Sequence, residues 1–192
     1  MIKKSYQHIG TKVIIIGSPG SGKSTFSKKL AEVTALPLIH LDDLYWEVGW
    51  VPTPEYQWQH IVKDLVKKDK YIIDGNYASS LDIRLQNADT VILLDTPLII
   101  CLYRIVKRTL QNKYETDTNL PKKIREANEI KKQKSSEGLL KFCLYVIKFH
   151  LFSKPNIKQK LEQNSDGKEI FIFKKTRQLH NFLDLGVYDD HK

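Results

Sequence analysis

Apolar residues in this chain fall into short runs of strand length, separated by longer stretches with helical period. Residues 13–16, four β-branched or aliphatic positions in a row, read as a buried parallel strand, and 38–41, 70–74, 90–95 and 169–173 read as four more. Between the first two, Phe26, Leu30, Ala31 and Val33 recur at helical spacing and predict an amphipathic helix over 23–34. Trp58, Ile61, Val62, Leu65 and Val66 form one face of a second helix, 55–68, opened by Pro52-Thr-Pro54. A short helix is predicted over 82–87. Pro97 starts a helix running to about residue 113, apolar on every side through Leu102 and basic from Arg104 onward, the pattern of a helix that leaves a core to enter a lid. Residues 111–119 read as a polar connection and 121–134 as a densely charged helix. Residues 138–152 are almost wholly apolar, with Lys134, Lys141 and Lys148 seven apart on one narrow face. Packing on the sheet or lid is the first account of this run, an oligomer contact through 138–152 the second, and a membrane surface the third. Helices at 155–163 and 176–185 complete the pattern.

Five strands alternating with helices predict a three-layer α/β/α P-loop NTPase fold: a five-stranded parallel sheet with a helical lid insertion. At 192 residues the chain supports one well-buried core, so a single domain is expected, with its core at about 12–113 and 167–186 and the insertion at about 114–166.

The first strand runs directly into Gly17-Ser18-Pro19-Gly20-Ser21-Gly22-Lys23-Ser24-Thr25, which satisfies G-x-x-x-x-G-K-[ST] at every fixed position. Gly17, Gly20 and Gly22 can take positive φ and lack Cβ, so the loop can turn its N–H groups inward on a polyphosphate, and the helix starting near Lys23 points its positive end at the same place. Lys23 would reach the β- and γ-phosphates and the Ser24 hydroxyl would ligate Mg²⁺. A plain Gly/Ser-rich turn is the alternative, but four fixed positions should coincide by accident in at most about one chain per hundred of this length.

Ligands of open parallel sheets bind beyond the carboxyl ends of the strands. The second strand ends in Asp42-Asp43, followed by Tyr45, Trp46 and Trp50, so Asp42 or Asp43 is the candidate base or Mg²⁺-water ligand; alternatively Asp43 caps the next turn while the aromatics pack. His40, inside the strand, reads as a satisfied core imidazole. Asp74 ends the third strand, where a P-loop enzyme keeps its Mg²⁺-associated aspartate. Arg84, the only arginine before residue 100, is either an acceptor-binding group or a solvated surface residue.

The formal charge of +9 is unevenly placed. Residues 1–97 carry 11 Lys/Arg against 11 Asp/Glu, and residues 98–192 carry 20 against 11. A lid closing over nucleotide phosphates or a nucleic-acid backbone would use such an excess, and a solvated Lys-rich surface accounts for many of these side chains without either. Cys101 and Cys143 have neither C-x-x-C nor Cys/His spacing, so no disulfide framework or zinc site is expected. The apolar run near the start is too short for a signal-peptide core, and Asp95, Pro97 and Arg104 interrupt the most apolar later stretch. A soluble, cytoplasmic protein is expected.

Several motifs together resemble the bacterial DNA topology modulation protein family, which is similar to the adenylate and shikimate kinases. They are the P-loop, Leu41-Asp42 leading to Tyr45-Trp46 and Gly49-Trp50, Ile73-Asp74-Gly75-Asn76-Tyr77, and Ala88-Asp89 through Leu94-Asp95 to Cys101-Leu-Tyr-Arg104 with Lys107-Arg108. The resemblance implies that residues 17–25 bind ATP, that Asp42 lies at the acceptor site, and that Arg104 and Arg108 enter the lid. Lys23, Asp42, Arg104 and Arg108 would then carry catalysis, with Asp43, Trp46, Trp50, Asp74 and Arg84 around the acceptor. Residues 119–136 hold lysines where that family often has arginines, and a lysine is a point charge rather than a bidentate fork. The expected activity is phosphate transfer from ATP to a nucleotide or small-molecule acceptor; the alternative is a nucleotide-dependent DNA-binding regulator. A GTPase is disfavoured, since Asn112-Lys-Tyr-Glu115 has the wrong acid for guanine and ends no strand.

Overall fold

In chain order the elements are β1 (Lys12–Gly17), α1 (Lys23–Thr34), β2 (Leu38–His40), α2 (Asp42–Tyr45), β3 (Trp46–Glu47), β4 (Val51–Pro52), α3 (Glu55–Val66) and β5 (Tyr71–Asp74). They continue with α4 (Leu81–Asn87), β6 (Thr90–Leu94), α5 (Leu98–Gln111), α6 (Lys122–Glu126), α7 (Ser136–Lys148), α8 (Lys154–Gln163), β7 (Glu169–Phe173) and α9 (Thr176–Asp184). This computed structural model describes residues 6–111, 121–126 and 136–184. The expected polar connection at 111–119 and most of the charged helix at 121–134 lie outside the described residues.

Five strands form one parallel sheet in the order β2-β5-β1-β6-β7. Successive side chains of a strand point to opposite faces. Ile14, Ile16, Ile73, Val91 and Leu93 therefore build one core with Trp58, Val62, Leu81, Leu85, Ile157 and Leu161 from α3, α4 and α8. Val13, Ile15, Ile72, Ile92 and Leu94 build the other with Phe26 and Leu30 of α1 and Leu179, Phe182 and Leu183 of α9. Helices on both faces are why these strands read as continuous apolar runs rather than as an alternation. Each fully buried Val, Ile or Leu contributes about 1.5–3 kcal/mol over an exposed one, and Val13 to Ile16, all 0 % exposed, hold β1 at the centre of the sheet. The expected α/β/α fold is thus observed, with the loop after β1 at the middle of the sheet's carboxyl edge.

Two segments depart from expectation. Residues 42–52, for which no helix or strand was expected, form one helical turn and an antiparallel hairpin, β3 with β4, pinned where Thr53 Oγ1 donates to Tyr45 O at 2.7 Å. Residues 136–163 run as one helical path, α7 and α8 joined by a π-helical turn, Phe149–Ser153. Pro155 cannot donate a backbone bond, and the widened turn just before it accommodates the break. On α7, Leu139, Phe142, Cys143 and Val146 pack on Leu98, Cys101, Leu102 and Ile105 of α5, while Leu140 and Leu144 of α7 and Leu151 and Phe152 of the π-helical turn are exposed. Among the described residues no helix is long and apolar enough to cross a membrane.

Candidate functional site

The loop between β1 and α1 carries the P-loop residues, and its conformation depends on its glycines. Gly20 and Gly22 stand at φ +77° and +98°, where only glycine is relaxed. Gly17 does not take positive φ, contrary to expectation; it is needed for space, since a Cβ there would meet Leu94 and Ser21 at 2.9 Å. A Cβ on Gly20 would come within 2.5 Å of Cys101 O, so the first turn of α5 packs directly on the loop. Thr96 Oγ1 donates to Ser21 O at 3.2 Å, and the Gly17 N–H donates to Asn76 Oδ1 at 3.1 Å. Ser18 and Ser21 are buried, Pro19, Lys23 and Ser24 half-buried and Thr25 exposed, and Ser21 Oγ has no hydrogen-bond partner.

Asp74 ends β5 beside β1, in register with Ile15. Its side chain is 5 % exposed; Oδ2 accepts from His40 Nδ1 at 3.0 Å and lies 3.3 Å from Ser27 Oγ. Burial pushes this carboxyl up, but the His40 hydrogen bond and then the Lys23 charge outweigh burial and hold it below its ordinary value of 3.8. Oδ1 is buried with no hydrogen-bond partner. A carboxylate oxygen kept dry, ionised and uncommitted beside the P-loop lysine suits a divalent cation shared with phosphate oxygens. Among the described residues no three His, Cys, Asp or Glu side chains gather into a metal cage, so any such ion would have to draw its other ligands from elsewhere.

Arg84 corrects the expectation of a surface or acceptor-binding arginine. It is 0 % exposed and donates to Gly75 O and Tyr77 O at 2.9 Å, to Ser80 O at 3.4 Å, and to Asn76 O. Burial lowers its pKa to about 10, against the opposing pull of Tyr77 and Asp74, so the guanidinium is charged at neutral pH. Its fork is spent on four carbonyls and is not available to an acceptor. What it does instead is hold the turn after β5, where Tyr77 stands at φ +30°, a strained conformation for a bulky residue. That turn sends Asn76 to the P-loop and the Tyr77 hydroxyl to Asp42 Oδ1 at 2.6 Å.

Asp42 and Asp43 diverge. Asp42 is exposed; it accepts from Tyr77, and Tyr145 of α7 also feels its charge. Burial and then the Asp42 charge push both phenols up, so both hydroxyls keep their protons at neutral pH. Asp43 Oδ1 accepts the Lys122 N–H at 2.7 Å and thereby ties α2 to α6, while Lys123 pairs with Glu47 of β3. Trp46 and Trp50 meet edge to face at 5.5 Å, and Tyr45, Trp58 and Tyr77 cluster with centroids 4.5–5.1 Å apart.

Arg104, expected in a lid, braces the P-loop: Nη1 donates to Ser21 O at 3.2 Å and Nη2 donates to Thr176 Oγ1 at 2.7 Å. Arg108 follows one turn later on α5, half-buried. Arg104 also lines a cleft of about 230 Å³ with Ser21, Gly22, Thr25, Lys29, Thr176, Leu179 and His180, opening beside the start of α1. A larger cleft, about 510 Å³, lies between α8 and β7 and does not include the P-loop.

No protein-family model matches this chain, and no curated protein matches it. Among solved structures, a shikimate kinase from Bacteroides thetaiotaomicron is similar at 14 % identity over 91 % of this chain and 95 % of that chain, with a TM-score of 0.49. The likeness to the DNA topology modulation family therefore stands on the motifs alone. At this distance the residues themselves must carry the functional reading.

Sequence reasoning missed the supporting residues: His40 and Ser27 on Asp74, Asn76 on the P-loop, Tyr77 and Tyr145 near Asp42, and Thr96 and Thr176 around Arg104. Asn76 and Tyr77 stood inside a recognisable motif, Asp-Gly-Asn-Tyr, but nothing in a linear pattern says which neighbour each side chain meets. Together the carboxyl ends of β1, β2 and β5 present a glycine-rich loop, a lysine, a buried ionised acid and, on the far side, an exposed acid among phenols.

Proposed function

We propose that this protein is an ATP-dependent phosphotransferase acting on a small-molecule acceptor. The observation that carries the proposal is the buried, ionised Asp74 with one uncommitted oxygen, set beside a complete P-loop. Residues 17–25 would hold the phosphates, with the loop N–H groups and Lys23 offsetting their charge. The cleft beside Arg104, floored by Phe26, Leu179 and Leu183, suits the adenine and ribose. Ser24 and Asp74 would hold Mg²⁺, which when bound neutralises charge on the β- and γ-phosphates. Asp42 would orient the acceptor hydroxyl and take its proton, and Tyr77 would fix the carboxylate that does so. Arg104 keeps the P-loop and α9 together, and Arg108 would reach toward the phosphates from α5; α8, whose Ile157 and Leu161 sit in the core, is fixed to the sheet rather than part of a lid. Transfer to a nucleotide acceptor belongs to the same class.

The basic second half favours a second reading, a nucleotide-dependent DNA-binding protein. One pair of measurements separates them: ATP binding and ADP release by wild-type and Lys23→Ala, and duplex DNA binding near physiological salt. The kinase reading expects ATP binding to fall by more than tenfold in a folded Lys23→Ala and DNA binding weaker than micromolar. Unchanged ATP affinity in the variant rules out the P-loop assignment, and submicromolar DNA binding promotes the second reading.

A further inference from the structure

We infer that the acceptor phosphorylated beside Asp42 is an alcohol that carries no negative charge and has a flat or apolar face, an inference that rests on the phosphotransferase reading above. A kinase for a phosphate ester or a carboxylate must offset the acceptor's charge next to the γ-phosphate, and bidentate arginines are the usual means. Among the described side chains that build the acceptor side no such free group stands. Residues 31–62 and 71–83 include no lysine or arginine at all, while they supply Asp42, Asp43 and Glu47. Arg84, the first arginine after them, spends its fork on four backbone carbonyls and is fully buried. Among the described residues, Lys123 and Lys160, which approach from other elements, are committed, to Glu47 and Asp82.

What the side does offer is the opposite chemistry. The exposed Asp42 carboxylate would repel an anion and accept a hydrogen bond from a hydroxyl or an ammonium. The Tyr145 phenol is protonated near it, able to donate to a ring or hydroxyl oxygen, while Tyr77 spends its one proton on Asp42 and can only accept. Half-buried Trp46, Trp50 and Tyr45 give aromatic faces and edges for a planar or apolar body, and would also attract a cation. In the transfer, the acceptor oxygen forms a bond to the γ-phosphorus as the bond from phosphorus to the β,γ-bridging oxygen breaks. ADP leaves with that electron pair, and the hydroxyl proton passes to Asp42 and then to water.

The full chain with ATP and Mg²⁺ should be assayed for ADP release against paired probes: adenosine, cytidine, thymidine and choline on one side, and AMP, CMP, dTMP and quinate on the other. Binding of a non-hydrolysable ATP analogue is measured in parallel by calorimetry. The expected result is kcat/KM at least tenfold higher for a nucleoside or choline than for any anionic probe. Preference for a monophosphate or for quinate overturns the inference, as does analogue binding with no uncharged or cationic probe turned over above the water background. Failure of the analogue to bind overturns the phosphotransferase reading itself, and this inference falls with it.

Discussion

Replacing Arg84 by methionine keeps much of the side chain's length and removes its charge and donors. Four carbonyls, of Gly75, Asn76, Tyr77 and Ser80, then lose a charged donor; Tyr77 O keeps the Ser80 N–H and hydroxyl, each at 3.2 Å. A single buried acceptor left bare costs about 1–3 kcal/mol, and a bond from a charged donor is worth about 1.5–3 kcal/mol. Simple addition would overshoot, because the variant is also relieved of desolvating a guanidinium, whose burial is visible in its lowered pKa of about 10. Two or three carbonyls left short of a donor, less that relief, leave a loss of about 3–5 kcal/mol. We therefore expect Arg84→Met to lose about 4 kcal/mol, a large share of the roughly 5–15 kcal/mol that a domain has. For a chain of this size that is a fall in Tm of about 8–16 °C. Urea unfolding should show a lower midpoint with an unchanged slope, since the surface exposed on unfolding is the same. Arg84→Lys should recover only part of the loss, because one ammonium cannot span carbonyls that a planar fork reaches together. A loss below about 1 kcal/mol in Arg84→Met would mean that the turn holds Tyr77 at positive φ without the guanidinium, and the positioning role would be withdrawn.

Further outcomes concern the acids. The Asp74 and Asp95 carboxyls are both held below 3.8, Asp95 because Lys154 and Lys158 outweigh the effect of burial. A depressed folded pKa gives stability that is complete above the unfolded value and lost as pH falls through the folded one, so urea midpoints should hold down to about pH 4 and drop below it. Asp95→Asn should cost about 2 kcal/mol at pH 7, less than a fully buried pair because Lys158 is partly exposed, and should flatten that acid slope; an unaltered slope would place the titration elsewhere. Asp42→Asn should lower kcat by about 10²-fold or more with ATP affinity unchanged. Asp43→Ala, which unties α6 from α2, should act mainly on KM; equal kcat losses in the two variants would show that the aspartates share one role.

Local pattern was enough for most of the frame. Four consecutive apolar positions can only be buried on both faces, so Val13 to Ile16 announced a central parallel strand, and the glycine, lysine and serine spacing after it announced a tight loop running into a helix. Helix α1 and strand β7 lie where the periodicity put them, because burial of one face dictates both the period and the ends. Residues 42–52 were less legible: a two-residue strand pair carries too few positions to show an alternation, and Thr53, which pins it, looks like any loop threonine. Side-chain partners were not legible at all. Whether Arg84 is solvated, binds an acceptor or clamps a turn depends on carbonyls of residues 75–77 and 80 folding around it, and whether Asp42 or Asp43 faces the site depends on where α6, some 80 residues later, supplies an N–H. Sequence alone determined the strand–loop–helix cradle and the acid at the end of β5, since backbone geometry and apolar burial are set within a few residues. Only the tertiary structure decided that Asp74 is held by His40, that Arg104 braces the loop and that Arg84 is spent on backbone carbonyls, because hydrogen bonds and desolvation are properties of groups brought together from distant parts of the chain.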